Sequence, residues 1–130
     1  MATRELTPDT RTDQTQEEPV ARIAFALPCL PGGSQKLREL AEQCRGPRRE
    51  EFEDFHRRLG LTREDWYLQQ SPQGEIWNFT LEGDPFGAIQ KIGASNHPFD
   101  VWFMERVTEI HGVDFTQPLP GPPPEHIFEG

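Results

Sequence analysis

Two histidines, His97 and His111, are the side chains best suited to moving a proton near neutral pH. Asp100 follows His97 by three residues, a helical spacing that lets a carboxylate orient an imidazole. The histidines stand 14 residues apart. On one helix that separates them by roughly 21 Å, too far to share a metal ion or one substrate atom. Each must therefore act alone or with partners from elsewhere. Both also suit plainer roles, His97 and Asp100 as helix caps and His111 as a cation complementing the dipole in a last helical turn. Asn78 beside Trp77 is the next candidate, because an amide facing a cavity can bind a carbonyl or an oxyanion. Tyr67 offers a phenolic donor, and Phe25, Trp77, Trp102 and Phe103 offer apolar walls. These residues point to acid–base chemistry on an apolar organic molecule. No His-x-x-x-His and no paired-cysteine motif is present, so no metal and no cofactor is expected. Pro31-Gly32-Gly33-Ser34 is too short for a phosphate loop and reads as a turn leading into a helix capped by Ser34.

The stretch His97–Phe115 positions the main candidates. Pro98 suits a first helical position and Gly112 the residue just past a helix end. Between them Phe99, Trp102, Phe103, Val107 and Ile110 recur at three- and four-residue spacing, a wide apolar stripe. Earlier in the chain, Ala21–Leu27 alternates large and small residues as a strand with Ile23, Phe25 and Leu27 on one face. Leu37, Leu40, Ala41 and Cys44 mark one helix, and Phe52, Phe55 and Leu59 a second that Gly60 stops. Residues 65–70 and 75–81 flank Ser71-Pro72-Gln73-Gly74 as an antiparallel hairpin. Asp84 and Pro85 open another helix, with Phe86, Ile89 and Ile92 on its apolar side. Val113–Phe115 is long enough for one last short strand.

That order gives an α+β fold of the ferredoxin-like βαββαβ type over residues 20–115. The polar residues 1–19 should be disordered, and the proline-rich residues 116–130 should form an arm anchored by Ile127 and Phe128. A sheet carrying Ile23, Phe25, Trp77 and Phe79 is too apolar to leave a face bare, which predicts either a homodimer or a tail packed over it.

Composition limits the partners. Thirteen Lys and Arg against 22 Asp and Glu give a net charge of −9, which argues against nucleic acid. No apolar run approaches the length of a membrane span, and no apolar signal core opens the chain. Cys29 and Cys44 are then free thiols of a cytoplasmic protein, with Cys29 the more interesting because a helix start follows it. The basic residues around Arg45–Arg58 interleave with acidic ones and read as an ion-paired surface.

Several strings together resemble a family of small bacterial proteins. They are Gly33-Ser34 to Leu40, Leu81-Glu82-Gly83-Asp84-Pro85, His97-Pro98-Phe99-Asp100-Val101-Trp102-Phe103 and His111-Gly112-Val113-Asp114. The family is grouped with the dimeric α/β barrel proteins related to antibiotic-biosynthesis monooxygenases. The resemblance implies a homodimer with a cavity between sheet and helices in each subunit. In relatives that cavity serves oxidation, cyclisation or isomerisation of mostly apolar substrates, usually without a cofactor. Some relatives degrade haem with a helix His, a strand Trp and an Asn. Trp77, Asn78 and His97 or His111 are the same residue types, which makes haem binding an alternative. A non-catalytic, stress-associated binding module is another.

Overall fold

The structure, a computed structural model, describes residues 21–118 and 121–130. The tail expected at 1–19 and the Leu119-Pro120 step of the arm lie outside the described residues. Seven elements follow in order: β1 (Ala21–Pro28), α1 (Gly33–Arg45), α2 (Arg49–Leu59), β2 (Leu61–Ser71), β3 (Gly74–Gly83), α3 (Pro85–Ala94) and α4 (Pro98–His111). The fold is α+β, with three antiparallel strands in the order β1-β3-β2 and four helices.

Alternation sorts the strands into two faces. Phe25, Phe79 and Trp66 lie opposite one another across the three strands, and Leu27, Trp77 and Leu68 form the next row. Phe25 and Phe79 stack with ring centroids 5.0 Å apart. This face is buried with the apolar sides of the helices: Leu37 and Leu40 from α1, Phe55 from α2, Phe103 and Ile110 from α4. The other face carries small or polar residues, including Ala24, Ala26, Asn78, Thr80 and Tyr67, with Arg22 paired to Glu82 at 3.0 Å. The four residues that argued for a cover over a bare face do not lie on the open one. Ile23, Phe25, Trp77 and Phe79 all share the covered side, because each sits in step with the strand's period of two.

Helix ends follow local chemistry. At α4, His97 Nδ1 accepts the Phe99 N–H at 3.2 Å, Pro98 occupies the first turn, and Gly112 takes the left-handed conformation with φ 80°. At α3, the Asp84 carboxylate accepts the Gly87 N–H at 3.1 Å. At α1 the expected Ser34 cap is replaced: Gly32, with φ 79°, precedes the helix and no side chain caps it. Gly33 then packs so tightly on α4 that an added Cβ would collide with the Ile110 carbonyl, beside the bond from Leu30 N–H to that same oxygen at 2.7 Å.

Two expectations at the C-terminal end are overturned. Val113–Phe115 is no strand, and β1 keeps one edge without a partner among the described residues. Asp114 decides this, since its carboxylate accepts from Thr116 N–H at 2.9 Å and from the Thr116 hydroxyl at 2.7 Å, closing a turn. Ile127 and Phe128 do not anchor the arm on the described residues, being 83% and 79% exposed. In an extended proline-rich segment, no described residue presents an apolar seat for them.

A buried ion pair ties α4 to α2. Asp100 is 1% exposed, and Arg58 grips both of its oxygens, at 2.8 and 2.9 Å. Ser95 Oγ donates to Asp100 at 2.6 Å, and Arg58 Nε donates to Asp54 at 2.7 Å. Burial alone would raise the Asp100 pKa, but the hydrogen bonds from Arg58 and Ser95 with the Arg58 charge outweigh it and hold it below the ordinary carboxylate value. Its stabilisation is thus complete above the unfolded pKa and lost as pH falls through the lower folded one. Asp100→Ala should cost about 3 kcal/mol in urea unfolding at pH 7. The difference from the native chain should shrink as the buffer is made strongly acidic.

Candidate functional site

A hollow of about 70 Å³ lies between the covered face of the sheet and helices α3 and α4. Phe25, Phe79 and Leu81 line it from the strands, Ile92 from α3, and Phe103 and Val107 from α4. Phe115 borders it from the turn after α4, whose backbone also packs against Gly93 at the end of α3. The lining is almost wholly apolar. Its polar members are Glu64, Trp77 and His111.

His111 reaches the hollow from the last turn of α4. It is 7% exposed, with its ring centroid 5.4 Å from that of Trp77 and 6.0 Å from that of Phe115. Its Nδ1 accepts the Val113 N–H at 3.1 Å, so a neutral ring carries its hydrogen on Nε2. Burial favours that neutral form and pushes the imidazole pKa down to about 4. The expected role as a dipole-complementing cation is thereby corrected. Three buried side-chain nitrogens have no hydrogen-bond partner among the described residues: Arg106 Nε, away from the hollow, and His111 Nε2 and Trp77 Nε1, both from residues that line it. Two residues that line the hollow thus carry N–H donors that no described protein acceptor satisfies. Such groups are rare in folded proteins because each costs about 1–3 kcal/mol.

The other candidates divide sharply. Phe25, Trp77 and Phe103 line the hollow as expected. His97 is half-exposed, and its Nδ1 is occupied as the α4 cap. Asp100 does not orient it: the nearest approach is 3.9 Å, and the carboxylate is held by Arg58 and Ser95. Asn78 lies on the open face, where its amide donates to Gln69 at 2.9 Å, because it is one residue out of step with Trp77. Tyr67 is exposed on that same face. Trp102 is outside the hollow, with the Arg48 guanidinium 4.1 Å above its ring and Phe99 at 5.5 Å. The residue types that suggested haem are therefore scattered. A hollow about half the ~150 Å³ that accommodates benzene also has no room for a porphyrin.

Sequence reasoning missed one polar cluster. Glu64 points inward from β2, in step with Trp66 and Leu68, and its side chain is 8% exposed. His56 Nε2 lies 2.9 Å from one carboxylate oxygen, and Trp66 Nε1 donates to the other at 2.7 Å. The available signal was a carboxylate alternating with two large apolar residues, which requires a buried partner. The surroundings of both cysteines favour the protonated thiol. Burial, then Glu64, pushes the Cys44 thiol up to about 12, and burial with Glu75 also raises Cys29 despite the helix start that follows it.

Among the described residues, no three His, Cys, Asp or Glu side chains gather as a metal site, and no helix is long and apolar enough to cross a membrane. The chain matches no protein-family model, and searches of curated proteins and of solved structures return no match.

The depressed His111 pKa has a definite consequence for stability. Between about 4 and the ordinary 6.5 the unfolded chain binds a proton that the folded chain refuses. Stability is then full above that window and falls as pH drops through it, by roughly 3 kcal/mol in all. Urea midpoints at pH 7 and 4.5 should show this loss in the native chain and a smaller one in His111→Leu.

Proposed function

We propose that the hollow binds a compact, mainly apolar molecule through one acceptor oxygen, and that neutral His111 polarises that oxygen. The observation that carries this reading is the pair of unpaired donors, His111 Nε2 and Trp77 Nε1, on an apolar border. A carbonyl fits them best, since its lone pairs satisfy two N–H groups while its carbon substituents meet Phe79, Phe103 and Val107. A neutral imidazole N–H donated to a carbonyl among apolar side chains draws negative charge onto the oxygen and polarises the C=O bond. The reading is thus a carbonyl-binding and carbonyl-polarising site, with His111 as the polarising group and Trp77 as its companion. It draws on His111 alone of the two histidines first considered.

The resemblance to dimeric α/β barrel proteins and a ferredoxin-like ancestry belong to the same proposal. Three antiparallel strands in the order β1-β3-β2, with helices on one face, support it. So does the open face, whose small Ala24 and Ala26 beside exposed Tyr67 suit packing against a second copy. Sedimentation equilibrium should give twice the chain mass, and a monomer at all concentrations would remove the homodimer from the reading.

Size sets the test of ligand chemistry. Butanone and 2-methylbutane have nearly the same shape, and only the first has an acceptor. Titration with butanone should shift the indole N–H resonance of Trp77 and the ring resonances of His111, whereas 2-methylbutane should leave the N–H resonance in place. Phe115→Ala should enlarge the hollow and extend binding to cyclohexanone. Failure of butanone to move either N–H group at millimolar concentration would overturn the proposal.

A further inference from the structure

A second groove, of about 650 Å³, runs along α1, α2 and the start of β2, on the other side of Glu64 from the hollow. Its volume falls in the ~300–1,000 Å³ range of small-molecule sites. Phe52 and Trp66 line it, with rings edge to face at 6.3 Å, and so does His56, whose ring lies 4.5 Å from that of Phe52. The dyad of His56 and Glu64 stands at this aromatic wall.

The hydrogen bonds of the dyad fix which imidazole nitrogen is available. A carboxylate only accepts, so His56 Nε2, at 2.9 Å from Glu64, carries the hydrogen. The second Glu64 oxygen accepts from Trp66 Nε1, which keeps the carboxylate from turning away. In the neutral ring His56 Nδ1 is then left as an acceptor, with no donor to it among the described residues. This is the arrangement by which a buried carboxylate holds an imidazole in one tautomer and presents its other nitrogen to a ligand.

The charges around the groove select against ions. Arg45 is paired to Glu42 at 2.9 Å and Arg49 to Glu53 at 3.1 Å, while Asp65 is paired to Arg63 at 2.7 Å. Cys44 also borders the groove as a buried protonated thiol and supplies no nucleophile. What remains for a ligand is an aromatic surface and one acceptor nitrogen. We propose that the His56–Glu64 pair is a second binding site, one that takes the hydroxyl of a small neutral aromatic alcohol on His56 Nδ1 while its ring lies against Phe52 and Trp66. Glu64 acts there as a positioning residue. The inference is independent of the carbonyl reading of the hollow.

The native chain suffices for the test, so no variant needs to fold. Long-range ¹⁵N–¹H NMR at pH 8 should show His56 as the Nε2–H tautomer. p-Cresol should shift the His56 ring and the Trp66 indole resonance and bind about fivefold more tightly than 4-methylanisole, which lacks the O–H donor. Glu64→Gln should let the His56 ring populate both tautomers and reduce that preference, a change a purely structural contact would not produce. An Nδ1–H tautomer, equal binding of the two compounds, or shifts confined to Trp77 and His111 would each overturn the proposal.

Discussion

Three strands offer two faces, and the described residues cover only one of them. That constraint governs the rest of the structure. Trp77, at the centre of the middle strand and 2% exposed, faces the helices and meets Trp66, Phe79 and His111 at centroid distances of 5.3, 5.3 and 5.4 Å. Apolar burial on that side supplies the main driving force, at about 25 cal/mol per Å² removed from water. The cost is that every polar group on the same side must find a partner inside the protein.

Three polar residues on the covered side meet this demand in different ways. Asp100 is saturated by Arg58 and Ser95, and it joins α4 to α2. Glu64 is saturated by His56 and Trp66, and it joins β2 to α2. His111 is half satisfied: Val113 fills Nδ1, while Nε2 and the neighbouring Trp77 Nε1 have no described partner. The first is a fully closed network whose simplest role is structural. The second leaves one ring nitrogen of a groove-lining histidine without a described donor. The third leaves two donors beside an apolar hollow, and this difference in satisfaction, rather than the mere presence of histidines, separates the candidate sites from the scaffold.

Much of the architecture was legible because local chemistry and tertiary packing agree. The α4 boundaries follow from Pro98 and Gly112, the α3 start from Asp84-Pro85, and the covered face from alternation in β1 and β3. Legibility failed where a choice depended on groups distant in sequence. Asp100 was read with its neighbour His97, but a guanidinium 42 residues away claims it. Asn78 was placed in the cavity, although the period of two that sends Trp77 inward sends Asn78 outward. Val113–Phe115 is long enough for a last strand, but the Asp114 side chain turns that segment instead. His56 was passed over because its partner sits across an element boundary, in the part of β2 that begins directly after Gly60.

The central claim is that His111 lies neutral beside the hollow, with its hydrogen on Nε2. Direct titration of its ring by ¹⁵N NMR tests that claim most sharply. The account predicts an Nε2–H imidazole at pH 7 that protonates only near pH 4. A ring that titrates near its ordinary 6.5, or that carries its hydrogen on Nδ1, would contradict it.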